Sequence, residues 1–238
     1  MIQIQPMFSR PRSLVDQVRR DLRDAIVKGV LHPGQQIKEL ELQQLFGVSR
    51  APIREALRVL EAEGLIAVDD HKKRIVRQLT QKDLSEILPV LASLEGLAAS
   101  LAAPILQKAT IRELDDLNDG IRKAFQQQDY VLCSELNFRF HSTYIKAAGN
   151  KALARAIKNV SRGAMNLWLT NIYYRDGTLI EQSVTEHRGI IGAFKKKDAD
   201  LSERRARYHL DKVYQGLLTR AKFDDAGQFI LESHADHG

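Results

Sequence analysis

Residues 47–57 read Gly47-Val48-Ser49-Arg50-Ala51-Pro52-Ile53-Arg54-Glu55-Ala56-Leu57, and this stretch decides the fold of the first third of the chain. Gly47-Val48-Ser49 breaks the short helix that is predicted before it. Ser49 is a preferred helix N-cap, and Pro52 is tolerated in the first turn of the helix that follows. Ile53 and Leu57 recur at helical spacing and form an apolar stripe. The stretch predicts a turn and then a helix running to Glu63.

The surrounding segments complete a small domain. A helical period runs from Ser13 to Gly29, and a shorter helix is predicted from Glu39 to Phe46. After Gly64, the apolar residues 65–68 and 74–76 flank a charged tip and predict a β-hairpin. This order predicts a winged helix-turn-helix over residues 13–78, preceded by a flexible arm at 1–12.

The remainder of the chain shows helical patterning throughout. Helix starts are predicted at Thr80, at a Thr110–Glu113 capping box and at Asp129. Further helices are predicted over about 150–172, 178–197 and 199–223. The expected fold class is therefore mainly α, with an all-α helical bundle over residues 80–223 and a frayed tail at 224–238.

Composition excludes several classes of protein. Hydrophobic residues make up 44% and charged residues 28% of the 238 residues, which is ordinary globular composition and not that of a disordered or fibrous chain. We see no secretory signal and no apolar run near the roughly 20 residues of a membrane span. The single Cys133 cannot form an internal disulfide. A cytoplasmic protein without a membrane partner is expected.

The positive charge is concentrated in the first domain. The net charge is +6, and residues 1–78 hold 14 Lys and Arg against 10 Asp and Glu. Arg50 and Arg54 share the helix face opposite the apolar stripe, and an arginine can contact guanine with two hydrogen bonds. The helix N-terminus suits a DNA phosphate. These residues alone fit a DNA-binding helix and an ordinary solvated helix face equally well.

Three motifs together resemble the GntR family of bacterial transcription regulators: Pro33-Gly34-Gln35, Ile37-Lys38-Glu39 and the run GVSRAPIREALRVLEAEGLI at 47–66. The resemblance implies that the start of the recognition helix and the wing contact double-stranded operator DNA. By position it implicates Ser49, Arg50, Pro52, Arg54, His71 and Lys72. Lys72, Lys73 and Arg74 are expected to hold phosphates. The family's wing commonly has a glycine at its tip, which this chain lacks.

A second group of residues lies in the helical part. Asn137 and His141 share a helix face because they are four apart, and His187 and His209 lie on the last two helices. Neutral imidazole is a common metal ligand, although scattered histidines are more often ordinary core or surface residues. The surrounding sequence, including Asn137-Phe138-Arg139-Phe140-His141 and Glu186-His187-Arg188-Gly189-Ile190, resembles the FCD ligand domain of FadR-type members. That resemblance implies a divalent ion of the zinc, nickel or manganese type on Asn137, His141, His187 and His209.

The effector is less well defined by the sequence. Members of the family that bind organic acids often have an arginine four residues before the Glu of a Leu-Glu motif. Here Leu94-Glu95 is present but Leu91 occupies the arginine position. Candidates for contact with a carboxylate effector are Arg139, Arg162 and Ser183, although both arginines are also typical structural ion-pair partners.

The sequence therefore predicts a dimeric transcription regulator that responds to a ligand. We expect a repressor that is controlled by an organic or sugar acid. Two alternatives remain: a regulator whose helical domain only dimerises, and a metal-dependent hydrolase. The hydrolase is disfavoured because the chain has no HExxH, no nucleophile motif and no Gly-rich phosphate loop. We do not expect an enzyme.

Overall fold

The computed structural model describes residues 13–27, 30–78, 80–161 and 176–220, together with the backbone of two short strands after them. It divides into two compact units, Met1–Arg77 and Gln78–Gly238. Each unit has its own hydrophobic core. The fold class is confirmed, since the structure is mainly helical with a small antiparallel sheet after the helix-turn-helix.

The first unit contains three helices and a hairpin. Its elements are α1 (Leu14–Val27), α2 (Glu39–Phe46), α3 (Arg50–Ala62), β1 (Ile66–Val68) and β2 (Arg74–Val76). Strands β1 and β2 pair antiparallel, with Ala67 opposite Ile75. The core forms where the buried faces of the helices meet the hairpin, with Val18, Leu22, Ile26, Ile53, Leu57, Leu60, Ile66 and Val76 all almost fully buried.

The turn between α2 and α3 forms as the sequence predicts, with one difference. Gly47 adopts a left-handed conformation with φ of 62°, and its N–H bonds to Gln43 at the end of α2. Ser49 is the N-cap residue of α3, but its hydroxyl makes no capping hydrogen bond. Ser49 is exposed at the start of α3.

The second unit is a bundle of six helices within the described residues. They are α4 (Gln81–Ala102), α5 (Lys108–Gln126), α6 (Tyr130–Ala147), α7 (Lys151–Val160), α8 (Gly177–Lys196) and α9 (Ala199–Arg220). Helix α4 packs against α9 and α7, and α5 packs against α6 and α8. After the bundle, Lys222–Phe223 (β3) pairs with Phe229–Ile230 (β4). Strand β4 therefore lies within the tail that the sequence predicts to be frayed.

The structure confirms two of the predicted helix caps and shows that a third is wrong. Thr80 and Asp83 form a reciprocal capping box for α4, and Asp129 caps α6. The Thr110–Glu113 box does not form, because α5 already begins at Lys108 with Gln107 as its N-cap. Leu106 is buried just before this start, so packing places the N-cap three residues earlier than the cap signal. The predicted extension of α7 to about residue 172 lies outside the described residues.

Helix α4 is the most apolar element. Its length and its mean hydropathy of 1.4 over 18 residues are those of a membrane span, but the core helix of a globular protein has the same properties. Leu84, Leu88, Ala98 and Ala99 are buried inside the bundle. The helix therefore has a core position in this unit.

Candidate functional site

Three histidines meet in the core of the helical unit. His141 lies on α6, His187 on α8 and His209 on α9, and all three are buried. A ligand nitrogen from each lies within 4.8 Å of the others. His187 Nε2 and His209 Nε2 are 3.2 Å apart. The Phe140 ring stacks on His187 with 4.1 Å between centroids and covers one side of the cluster. We call His141, His187 and His209 the histidine triad.

Each triad imidazole is held through its Nδ1 atom by a different side chain. His141 Nδ1 lies 2.6 Å from Glu95 Oε2, and His209 Nδ1 lies 2.8 Å from Glu186 Oε2. His187 Nδ1 lies 3.0 Å from Asn118 Oδ1. A histidine that binds a metal usually has such a partner on its other nitrogen, because this bond fixes the ring orientation and the tautomer. The Nδ1 partners therefore leave the Nε2 atoms for a ligand.

The hydrogen bonds of Asn118 settle the tautomer of His187. Asn118 Nδ2 donates to the Val184 carbonyl at 2.9 Å, so Asn118 Oδ1 can only accept. His187 Nδ1 must then carry the proton, and His187 Nε2 is a bare lone pair. His209 Nδ1 donates to the Glu186 carboxylate by the same logic. Two bare lone pairs thus face each other at 3.2 Å, an arrangement that a cation between them would stabilise.

Burial favours the neutral form of His187 and His209. Burial lowers the pKa of His187 well below its usual value, and the neighbouring His209 and His141 lower it further. Burial also lowers the pKa of His209, although the hydrogen bond to Glu186 opposes this. Neutral imidazole is the form that binds metals.

Glu95 completes a buried polar network on the other side of His141. Burial acts to raise the pKa of Glu95, but the charge and hydrogen bonds of His141 and Tyr144 leave it lowered overall. The Tyr144 hydroxyl donates to Glu95 Oε2, and burial raises the Tyr144 pKa well above its usual value. Glu95 is therefore an ionised acceptor with two buried donors.

The donor set suits a divalent ion of the kind that the sequence predicts. Two imidazole nitrogens bound to zinc at about 2.05 Å are about 3.3 Å apart in a tetrahedral site, close to the 3.2 Å between His187 and His209. Asn137 lies one turn before His141 on α6 and is half-buried. Its amide oxygen is the fourth ligand that the sequence predicts.

The sequence analysis missed all three Nδ1 partners. Glu95 belongs to the Leu94-Glu95 motif, which drew attention only to the position four residues before Glu95, where Leu91 is buried. Glu186 is adjacent to His187 in the sequence, but its carboxylate is the hydrogen-bond partner of His209 on the next helix. Asn118 lies on the buried face of α5, but no neighbouring residue marks it as the partner of a histidine.

The predicted effector residues are scattered. Ser183 is buried one turn before His187. Arg139 is exposed and two residues from His141, which places it on another side of α6. Arg162 lies outside the described residues. Of the two that the structure describes, Ser183 shares a face of α8 with His187, whereas Arg139 does not share a face of α6 with His141.

A groove of about 490 Å³ lies along α8 and α9 beside the triad. Glu186 lines this groove and also binds His209. Arg205 and Tyr208 of α9 face Glu181 and Gln182 of α8 across it. The groove is thus connected to the triad through one shared carboxylate.

The first unit presents the predicted DNA-contacting residues at the start of α3. Ser49, Arg50 and Arg54 are exposed and Pro52 is half-buried. They lie on the side opposite the buried Ile53 and Leu57. The first turn of α3 is therefore exposed on the first unit, as is required of a helix that enters a groove of a duplex.

The turn at the wing tip forms without a glycine, and two features stabilise it. Lys72 adopts a left-handed conformation with φ of 61°, and Asp69 Oδ1 accepts from the N–H groups of His71 and Lys73 at 3.0 and 2.7 Å. The side chains of His71, Lys72 and Lys73 are exposed. Arg74 is held by Glu61 and Glu39, so its predicted phosphate contact would require rearrangement.

Comparisons with known proteins agree with both units. Residues 14–84 match the model described as bacterial regulatory proteins, gntR family, and residues 86–212 match the FCD domain. The uncharacterized HTH-type transcriptional regulator YdhC of Bacillus subtilis is 28% identical over 208 residues, which cover 86% of this chain and 91% of that protein. A probable D-xylose utilization operon transcriptional repressor of Paenarthrobacter nicotinovorans is 29% identical over 198 residues, covering 83% of this chain and 86% of the relative.

Solved structures share the fold. Escherichia coli McbR/YncC matches with a TM-score of 0.69 at 22% identity, over 87% of this chain and 98% of that one. A GntR regulator from Rhodococcus sp. RHA1 matches with a TM-score of 0.70 at 20% identity, over 86% and 97%. The relatives are named as transcription regulators and not as enzymes. Since the FCD match alone spans more than half of the 238 residues, the chain belongs to the GntR family of bacterial transcription regulators, in the group with an FCD domain.

Proposed function

We propose that this regulator is a repressor that binds operator DNA as a homodimer through α3 and the wing, and that a divalent ion on the histidine triad recruits a small acid that controls DNA binding. The observation on which the sensor part rests is the triad geometry. Three imidazoles are anchored at Nδ1, and one ligand nitrogen of each lies within 4.8 Å of the others in a buried site. His141, His187 and His209, with Asn137, would hold the ion.

The acid is expected to reach the ion itself. An ion bound by four protein groups can accept a carboxylate oxygen as a further ligand if it expands its coordination. The groove beside the triad is less suitable for an anion, since Glu181 and Glu186 both line it and Arg205 is the one cation among its described lining residues. Two relatives are named as repressors of a D-xylose utilization operon and a gluconate operon. These names support a sugar or sugar acid as the effector. They also support repression of transcription as the role of this regulator.

An apolar stripe on α4 supports the homodimer. Val90, Leu97 and Leu101 are 39% to 48% exposed on one side of this helix, and Ile105 is exposed just beyond its end. A two-fold axis lets the same stripe pair with itself. A dimer also places two copies of α3 for a pseudo-palindromic operator.

Ion binding tests the sensor directly. We would strip the full-length protein with a chelator and titrate Zn²⁺, Ni²⁺ and Mn²⁺ separately by calorimetry. We expect one ion per chain in the parent and none at the triad in His187→Ala. His71→Ala is the matched control, because His71 is an exposed wing residue and its loss leaves the core intact.

The metal-loaded protein would then be screened against organic and sugar acids by thermal unfolding. A ligand that binds the folded state raises the melting temperature, and we expect a rise that depends on the ion. If the parent binds no ion, or if His187→Ala binds as well as the parent, the sensor is wrong. The alternative, a helical domain that only dimerises, would then be favoured.

A further inference from the structure

The Glu39 carboxylate forms ion pairs with three arginines on the surface that is predicted to face DNA. Glu39 is the first residue of α2, and its side chain is only 16% exposed. Its Oε2 atom accepts from Arg50 Nε at 2.7 Å, and its Oε1 atom accepts from Arg74 Nη1 at 2.7 Å. Arg54 Nε lies 3.5 Å from Oε1. One carboxylate thus links α2, Arg50 and Arg54 of α3, and the wing strand β2.

Arg50 and Arg54 of α3 face Glu39 through their Nε atoms. This leaves the terminal Nη groups of Arg50 and Arg54 outside the ion pair, on side chains that are 66% and 49% exposed. An arginine reads guanine by donating two parallel hydrogen bonds to O6 and N7. The Nη groups therefore keep a donor edge for a base while the Nε side is held by the protein.

The charge balance favours this arrangement. The hydrogen bond from Arg50 and the charges of Arg50, Arg54 and Arg74 lower the Glu39 pKa, so the carboxylate stays ionised at neutral pH. Glu39 and Glu61 together offset two of the three positive charges. A net positive charge remains for DNA. Arg74, anchored by Glu61 behind it, holds Glu39 in place.

We propose that Glu39 is a positioning residue that orients Arg50 and Arg54 for base reading and so sets the sequence selectivity of this regulator. This inference rests on the DNA contact proposed above for those arginines. An arginine side chain has many rotamers, and a fixed guanidinium loses less freedom when it meets a base. Without Glu39 the arginines can still neutralise phosphates, but their orientation toward a particular base is lost.

The experiment compares specific with non-specific binding. A pool of duplexes with a randomised centre is selected on the full-length parent, and the enriched duplex and an unselected random duplex are then used as probes at one salt concentration. The variants are Glu39→Gln, Glu39→Asp and Arg50→Ala. Glu41→Gln is the matched control, because Glu41 is on the same helix, has the same charge and pairs only with the exposed Lys38 among its described contacts.

Glu39→Gln should lower the ratio of specific to random affinity by about tenfold, within the roughly 5- to 150-fold discrimination of a good arginine–guanine contact. Its affinity for the random duplex should match that of Glu41→Gln, since both lose one negative charge. Glu39→Asp keeps the charge but shortens the reach by one methylene, so it should also lower the ratio. If Glu39→Gln does not fold, Glu39→Asp still tests whether Glu39 sets the ratio of specific to random affinity.

Other outcomes overturn the proposal. An unchanged ratio in both Glu39 variants means that Glu39 does not orient the arginines, and a raised ratio means that it competes with DNA for them. Equal losses of specific and random affinity, with a lower melting temperature, indicate a structural role. If Arg50→Ala selects the same sequence as the parent, or if the parent selects none, the proposed base contact itself is wrong and this inference falls with it.

Discussion

Replacing Asn118 with Leu should weaken ion binding at the histidine triad by about 10- to 100-fold, the usual cost of losing a partner that orients a metal ligand. Asn118 is buried on α5 and joins His187 Nδ1 to the Val184 carbonyl. Without it, His187 can move its proton to Nε2 and donate to His209 Nε2 at 3.2 Å. An arriving ion must then displace that proton.

The same substitution should destabilise the helical unit moderately. Leaving the Val184 carbonyl and His187 Nδ1 without their partner costs about 1–3 kcal/mol, partly offset by the new bond between His187 and His209. For a unit of this size, each kcal/mol lowers the melting temperature by roughly 2–4 °C. We expect a fall of about 2–12 °C in the ion-free protein.

Calorimetric ion titration and thermal unfolding of the same samples separate the two effects. Ile121→Val is the matched control, because Ile121 is equally buried on the same helix and its truncation costs about 0.5–1.5 kcal/mol. The control should lose stability and keep its ion affinity. An Asn118→Leu variant that unfolds at a lower temperature but binds the ion as tightly as the parent would refute the tautomer argument.

Three further predictions concern other parts of the chain. Arg50→Ala should abolish operator binding in a gel-shift assay while sedimentation still shows a dimer; retention of parental affinity would contradict the assignment of α3. Leu97→Glu with Leu101→Glu should dissociate the dimer, because two charges enter an apolar stripe, whereas an unchanged sedimentation coefficient would place the interface elsewhere. Glu39 has a pKa below 4.5 in the folded chain, so its ion pairs stabilise the first unit above about pH 4.5 and are lost as the pH falls through the folded pKa. Acid unfolding of Glu39→Gln should therefore be less steep than that of the parent, and identical curves would exclude this contribution.

The sequence predicts the helix-turn-helix well because its signals are local. Gly47 supplies the left-handed turn, Thr80 and Asp83 supply a capping box, and Ile53 and Leu57 mark the buried face of α3. Each of these depends on residues within a few positions of one another. The Thr110 cap fails for the opposite reason, since burial of Leu106 outweighs a local preference.

The partners of the candidate sites could not be predicted in this way. Glu95 is 46 residues from His141, Asn118 is 69 residues from His187, and Glu186 is 23 residues from His209. Such pairs exist only after α4, α5 and α8 have packed around α6 and α9. Periodicity places a residue on a buried face, but it does not say which residue it meets there.

The proton positions also bear on whether the triad responds to pH or to an ion. A histidine pH sensor needs a pKa near physiological pH, whereas burial holds the pKa values of His187 and His209 below their usual value. Protonating either Nε2 would place a charge in a buried site whose Nδ1 atoms already donate to Asn118 and Glu186. A divalent ion instead uses the lone pairs of all three Nε2 atoms at once and needs no proton there. The geometry thus favours a metal over a proton as the cation that the triad would bind, which is why ion titration precedes the effector screen.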